Sequence, residues 1–308
     1  MGSPGYLKLV LFTRRILNQL FHGKGMYQVH RVISKLWPYE QRLVNVNLDA
    51  ASVFVFEASD SYYGHYLLDG RPYEPEISWL IEGIQDLSWG FVDAGANFGY
   101  WSVAVTSPHR GSHQAVAIEA SKSNFDKLRV NCEANQRRFR TVHAAVHSVS
   151  GTRMFFNPVR SHASGSASQS PQPGRAECIA SVSIDDAVVE SFDPALPVVV
   201  KIDVEGTERD ALEGARVTLT SRDAVAVVES HGKDRSSDAL SWGFDNGFSI
   251  VFVHDDGSVS RLLQVDDALA LKVNRRRGYN FLMYEASSSG VIPCRINAWV
   301  KRGRVRPT

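Results

Sequence analysis

The spacing of apolar residues changes along the chain, and with it the element each stretch predicts. Residues 6–21 mix apolar and basic side chains, beginning Tyr6-Leu-Lys-Leu-Val-Leu-Phe, in the pattern of an amphipathic helix. Residues 43–56 alternate or run apolar at strand length, as in Val44-Asn-Val46-Asn-Leu48 and Val53-Phe-Val-Phe56. Residues 74–87 place Ile77, Leu80, Ile81, Ile84 and Leu87 at helical spacing. Beyond Gly90 the rhythm alternates. Residues 90–93, 115–119, 141–146, 198–203, 224–229, 249–253 and 281–285 predict strands, with helices over 123–135 and 207–220 between them. Runs such as Val198-Val-Val-Lys-Ile-Asp203 are nearly continuous in apolar side chains, as expected of parallel strands covered on both faces. The expected fold is therefore α/β, a doubly wound sheet with an N-terminal helical and β extension. Residues 161–174 hold five serines and two prolines with almost nothing to bury, and predict a mobile loop or lid. Residues 289–308 carry Arg295, Lys301, Arg302, Arg304 and Arg306 without an acid, and read as a solvated basic tail. The expected organisation is a preface over 1–88, the sheet domain over 89–288 and the tail over 289–308.

Composition narrows the function. The chain has 308 residues, 44% hydrophobic and 22% charged, far from the composition of disordered proteins. Lys and Arg number 34 against 33 Asp and Glu, a net charge of +1 that argues against a dedicated nucleic-acid binder. Cys132, Cys178 and Cys294 are far apart and lack metal-binding spacing, so neither a disulfide framework nor a zinc site is indicated. No run reaches the roughly 18 apolar residues of a membrane span. The apolar run Leu9-Val-Leu-Phe12 is too short for a signal-peptide core. The expected location is cytoplasmic, with the N-terminal helix offering a peripheral membrane contact as an alternative to packing on the domain.

The most informative segment is Gly90-Phe-Val-Asp-Ala-Gly-Ala-Asn-Phe-Gly-Tyr-Trp-Ser102, a strand, a glycine turn and a helix start in succession. In a doubly wound sheet that turn lines the ligand crevice. Gly95 allows a tight turn, and Gly99 lets the opening helix pack closely. A dinucleotide fingerprint needs a second glycine where Asn97 stands, and Asp93 would repel a pyrophosphate. An acid there suits a ligand with a positive amino group and no phosphate, such as S-adenosylmethionine; alternatively, Asp93 caps the turn that follows it. Glu119, twenty-four residues after Gly95, ends the second strand where an acid accepts hydrogen bonds from both ribose hydroxyls, a feature shared by NAD and methyl-donor sites. The helix beginning at Ser123 would flank the adenine, and the backbone around Ala145 would meet its edge.

Together these residues resemble the FkbM family of S-adenosylmethionine-dependent methyltransferases. The resemblance rests on Phe91-Val-Asp-Ala-Gly-Ala-Asn-Phe-Gly99, on Ala117-Ile-Glu-Ala-Ser-Lys-Ser-Asn-Phe-Asp-Lys-Leu128, and above all on Val200-Lys-Ile-Asp-Val-Glu-Gly-Thr-Glu-Arg-Asp-Ala-Leu-Glu-Gly-Ala215, with Val228-Glu-Ser-His231 further on. It covers about residues 43–285. It departs where Phe98 replaces a frequent aliphatic residue, and at the serine-rich insertion. It implies a class I methyltransferase (Rossmann-like) sheet of seven strands, S-adenosylmethionine as cofactor, and O-methylation of a sugar, glycolipid or polyketide-like acceptor.

The fourth strand supplies the chemistry. In Lys201-Ile-Asp203-Val-Glu205-Gly-Thr-Glu208 several acids crowd a strand end and a helix start. Glu208 is explained by the helix dipole, whereas Asp203 and Glu205 lie at the mouth of the sheet. Methyl transfer to an alcohol needs in-line geometry and removal of the hydroxyl proton. His231 is the candidate general base, oriented by Glu229 or Asp203; equally it is a structural histidine. A divalent ion on Asp203, Glu205 and His231 is the less favoured alternative. The expected catalytic set is His231, Asp203 and Glu205; the expected cofactor set is Asp93, Gly95, Asn97, Gly99, Glu119, Ala145 and Asp203. No metal site is assigned. Tyr100, Trp101, Trp242 and Trp37 read as core, Arg160, His162 and residues 275–277 as surface charge, and Lys201 as snorkelling or paired. The acceptor is expected to be a small molecule or glycan and not a nucleic acid. An NAD-dependent oxidoreductase and a non-catalytic S-adenosylmethionine-binding or membrane-associated scaffold are the competing readings.

Overall fold

The computed structural model describes residues 43–57, 60–68, 71–158, 165–168, 177–234, 237–275 and 277–305. The helix expected over residues 6–21, Trp37, Arg160 and His162 lie outside the described residues, as does most of the serine-rich stretch. The chain divides into two units, Met1–Leu48 with Val53–Tyr73, and Asp49–Ser52 with Glu74–Thr308. The first holds all but the turn-side ends of a two-stranded sheet, β1 (Leu43–Asp49) and β2 (Ser52–Glu57), followed by helical turns over Ser61–Tyr63 and Gly64–Leu68. Phe54 and Tyr63 are buried with ring centroids 4.8 Å apart.

The second unit runs through α1 (Pro75–Ile84), β3 (Gly90–Ala94), α2 (Tyr100–Val105), β4 (Gln114–Glu119), α3 (Lys122–Ala134), β5 (Arg140–His143), β6 (Ala145–Val146), β7 (Arg153–Pro158), β8 (Gly165–Ser168) and β9 (Glu177–Val182). It continues with α4 (Ile184–Ser191), β10 (Val198–Ile202), α5 (Glu208–Glu213), α6 (Arg216–Ser221), β11 (Ala224–His231), α7 (Asp238–Asp245), β12 (Ser249–Val253), β13 (Val259–Leu262), α8 (Val265–Leu271), β14 (Gly278–Tyr284) and α9 (Val291–Arg302). Its main sheet has eight strands in the order β13-β12-β14-β11-β10-β3-β4-β5. From β5 to β11 neighbouring strands are parallel, and β14 inserts antiparallel between β11 and β12. The seven strands of a class I methyltransferase are present, and β13 adds an eighth.

Every residue of β3 and β10 is buried, which is why their sequences read as apolar runs. Val92, Val116, Val200, Ile202, Val228 and Phe281 share one core cluster with Ile184, Val188, Leu219 and Leu240 from the helices on that face. Because side chains alternate along a strand, Asp93, Lys201, Asp203, Glu229 and Asn280 fall on the other face. The ladders confirm the match, pairing Lys201 with Asp93 and Glu229 with Asn280. The apolar core of the sheet thus sets the register that gathers its polar residues.

Several expectations need correction. Residues 165–168 form strand β8, at the edge of a second sheet of order β6-β9-β7-β8, rather than part of a loop or lid. A backbone ladder needs no apolar side chain, so the serines hid it. The helix expected over 207–220 breaks at Gly214, where a Cβ would overlap the His147 carbonyl. The strand expected over 141–146 divides at Ala144, whose N–H turns to the Glu119 carbonyl at 3.2 Å. The basic tail contains α9, which buries Ile292, Ile296 and Trp299 along one stripe. Trp101 and Trp242 are core, as expected. Among the described residues no helix is long and apolar enough to cross a membrane.

Candidate functional site

The site forms at the carboxyl ends of β3, β4, β10 and β11. After β3 the chain turns at Gly95, with φ 81°, and bonds back to β4 through Gly95 N–H and Ala96 N–H, both to the Ile118 carbonyl. A Cβ on Gly95 would overlap the Asp203 carbonyl oxygen, so only glycine lets this loop lie against the end of β10. Asn97 also adopts positive φ, 53°, a conformation asparagine tolerates better than most residues, which explains its presence where a dinucleotide fingerprint has its second glycine. Gly99 opens α2, and its missing side chain makes room for Leu128 of α3, so the close packing is against a helix.

Asp93 is buried and accepts hydrogen bonds from Ser102 N–H at 3.2 Å and Ser102 Oγ at 2.7 Å. It ties α2 to β3, the capping alternative, and burial raises its pKa. Glu119 accepts from Asn97 N–H and Ser121 N–H, both at 2.8 Å, and so joins the glycine loop to the start of α3. Burial pushes its pKa up to about 7, against these two bonds. Ala145 turns its side chain inward with Met154, Phe156 and Ile179, leaving only backbone for any ligand.

Lys201 is buried on β10 and donates to Asp203 Oδ2 at 2.8 Å. Burial opposes its charge, but the carboxylates of Asp203, Glu74, Asp93 and Glu229 outweigh it and raise its pKa. Burial also opposes ionisation of Asp203, whereas Lys201 and a hydrogen bond from Glu229 hold it below its ordinary value. Burial and the Asp203 charge push Glu229 far up, so Glu229 carries the proton it shares. A Cβ at Gly278 would overlap the Glu229 carboxyl, so a glycine on β14 makes room for it. Glu229 therefore orients Asp203, not His231.

Glu205 follows β10 in a left-handed conformation, φ 47°, and is exposed at the mouth. Partial burial and the carboxylates of Asp203 and Glu208 push its pKa up to about 7. His231 ends β11 half-buried, and its Nδ1 accepts from Lys233 N–H at 3.1 Å. The neutral ring therefore carries its proton on Nε2 and presents a donor, which conflicts with a resting general base. Burial and Lys233 lower its pKa. The loop after His231 is held by Lys272, fully buried, which donates to Ser230 Oγ at 2.5 Å, the Asp234 carbonyl at 3.0 Å and Ser237 Oγ at 2.8 Å. Among the described residues no three of His, Cys, Asp and Glu form a group that could hold a metal ion.

Gly95, Asn97 and Glu119 thus meet at one end of the cleft, and Asp203, Glu205 and His231 line the adjoining strand ends. Sequence reasoning missed Glu74, Asn280 and Lys272. Glu74 Oε2 accepts from Trp101 Nε1 at 2.5 Å, and its Oε1 accepts from Asn280 Nδ2 at 3.1 Å. No local pattern marks either residue, because the contact spans 206 positions.

A family model, the methyltransferase FkbM domain, matches residues 93–280, more than half of the chain. Among solved structures the chain is similar to a methyltransferase FkbM from Methylobacillus flagellatus, 19% identical over 64% of this chain at a TM-score of 0.39. It spans only 44% of that protein's length. It is also similar to a tRNA methyltransferase from B. subtilis, 10% identical over 73% of this chain and 70% of that one, TM-score 0.37. A third similar structure is a Streptococcus pneumoniae protein in complex with S-adenosyl-L-methionine, 17% identical over 68% and 73% of the two chains, TM-score 0.36. No curated protein matches the chain. With the glycine turn, the acid ending β4 and the Lys201-to-Glu208 segment all inside the matched region, the chain belongs to the FkbM methyltransferase family.

Proposed function

We propose that the enzyme transfers the methyl group of S-adenosylmethionine to a hydroxyl of a sugar, glycolipid or polyketide-like acceptor. Family membership supports a methyltransferase over the oxidoreductase and scaffold alternatives. The residues present suit the cofactor. Glu119 accepts two backbone N–H groups and a side-chain hydrogen bond from Asn124, and a carboxylate has about four acceptor positions, so capacity is left for a ribose hydroxyl. The bare backbone at Gly95 permits close approach of the same ligand, with Asn97 and Gly99 shaping the loop. Bound there, the cofactor supplies an electrophilic methyl on a sulfonium.

The chain's own residues handle the acceptor. The observation that carries this reading is Glu205, exposed at the mouth beside Asp203 and with a pKa near neutral. A base of that strength accepts a hydroxyl proton at working pH. His231, with Nδ1 engaged by Lys233, offers Nε2–H to hold the acceptor oxygen. Asp203, fixed by Lys201 and Glu229, sets a negative charge at the strand end that favours the sulfonium and disfavours a phosphate. That charge, with Glu205 and Glu208 nearby, supports an uncharged acceptor over a nucleic acid.

The test is transfer of labelled methyl from S-adenosylmethionine to a panel of free sugars, glycolipids and hydroxylated polyketides, with tRNA as comparison. Labelling of a hydroxyl acceptor that falls about 100-fold in Glu205→Gln supports the reading, that being the scale of general-base catalysis. Labelling of tRNA alone, or full activity in the variant, would overturn it.

A further inference from the structure

Glu74 precedes the residues that the family model matches, yet its carboxylate accepts a hydrogen bond from Trp101 in the helix that follows the glycine loop. It begins α1 in a left-handed conformation, φ 42°, and its side chain makes no cap on its own helix. The carboxylate is held instead by Trp101 Nε1, one residue into α2 beyond the glycine loop, and by Asn280 Nδ2 on β14. Both donors are neutral; burial raises the Glu74 pKa and the Lys201 ammonium opposes that, although among the described residues no cation forms an ion pair with Glu74. The Asn280 amide also donates to Glu76 Oε1 at 3.3 Å, while its buried oxygen has no donor among the described residues.

The topology says which part of the cofactor would arrive here. A ligand with its ribose at Glu119 on β4 that crosses β3 brings its amino-acid end over β10. The other acids near that end are less available: Asp93 is buried and tied to Ser102, and Asp203 is paired with Lys201 and the Glu229 carboxyl, whereas Glu74 is only half-buried. We propose that Glu74, supported by Trp101 and Asn280, is the carboxylate that receives the ammonium group of the methionine moiety of S-adenosylmethionine. The assignment rests on the placement of the ribose at Glu119. It replaces Asp93 as the acid that matches the cofactor's amino group.

Two nucleosides separate this contact from the rest of the site: S-adenosylhomocysteine, which has the amino-acid group, and methylthioadenosine, which lacks it. Calorimetric titration of the full chain with each is expected to show Glu74→Gln weakening S-adenosylhomocysteine by about tenfold or more, the scale of a lost charge-assisted hydrogen bond, with methylthioadenosine changed less than about twofold. Glu74→Asp, which keeps the charge, is expected to recover part of the loss, and unchanged thermal midpoints would show that both variants fold. Equal weakening of both nucleosides, or of neither, would overturn the proposal. Loss of methylthioadenosine binding in Glu119→Gln confirms the ribose placement separately; unchanged binding there would overturn that placement and this assignment with it.

Discussion

Lys201 and Asp203 stand two residues apart on one face of β10, with Nζ 2.8 Å from Oδ2. The ammonium is almost wholly buried while a quarter of the carboxylate remains exposed, so the pair carries negative charge from the interior to the cleft. Replacing Lys201 by Met would leave its carboxylate partners without a cation. Breaking a buried pair costs about 3–5 kcal/mol, and the exposure of Asp203 places the expected loss near the lower end, about 3 kcal/mol in urea unfolding. A loss below about 1 kcal/mol would show that the carboxylates simply take up protons.

Glu119 predicts a pH dependence of opposite sign for the free and the liganded enzyme. Its pKa in the folded chain, about 7, lies above the ordinary 4.5, so the free folded state binds the extra proton between those values. Its contribution to stability is then fully present below about pH 4.5 and lost as pH rises through 7. Hydrogen bonds from a ribose favour the charged carboxylate, so S-adenosylhomocysteine should bind more tightly as pH rises through the same range. Thermal midpoints at pH 5.5 to 8, with and without the ligand, read both slopes. Glu119→Gln should flatten them relative to the parent, in which Glu205 also titrates.

Gly95 and Gly206 both have positive φ, 81° and 92°, but differ in their surroundings. Gly206→Ala meets nothing within 4 Å and should cost only the conformational penalty, about 1–2 kcal/mol. Gly95→Ala adds overlap with the Asp203 carbonyl and should cost more and abolish cofactor binding. Equal thermal midpoints and equal S-adenosylhomocysteine affinity in the two variants would remove the close approach from the argument.

Lys272 ties Ser230 near the end of β11 to two oxygens, of Asp234 and Ser237, in the segment that follows it. Lys272→Met should free that segment, raising hydrogen exchange at residues 231–234 by more than about tenfold, as expected when a charged hydrogen-bond donor is lost. Exchange around Gly95 should stay unchanged. Uniform acceleration across the chain would mean that Lys272 only stabilises the fold as a whole.

The elements legible in advance are those whose pattern is local. Period-two and near-continuous apolar runs located β3, β4, β10 and β11, because burial on both faces of a parallel sheet leaves that mark in the sequence itself. The Asp93-to-Gly99 turn was readable for a related reason: tight backbone geometry restricts residue type at Gly95, Asn97 and Gly99. The residue types did not reveal which way each acid points. Asp93 and Glu119 both end strands, yet one is turned to Ser102 and the other to the loop amides. Strand β8 escaped because its ladder is made by backbone, and α9 because its basic residues drew attention from the stripe of Ile292, Ile296 and Trp299.

The chain by itself determined a parallel α/β sheet, a glycine turn at the end of its first strand, an acid at the end of its second, and Lys201 and Asp203 on one face of β10, since side chains two apart on a strand must point the same way. Tertiary structure alone decided that Glu74 and Asn280 come together there, and that His231 has its Nδ1 occupied. Local periodicity specifies which face of an element is buried. The meeting of residues 206 positions apart depends instead on strand order and register, which the packing of the whole sheet sets.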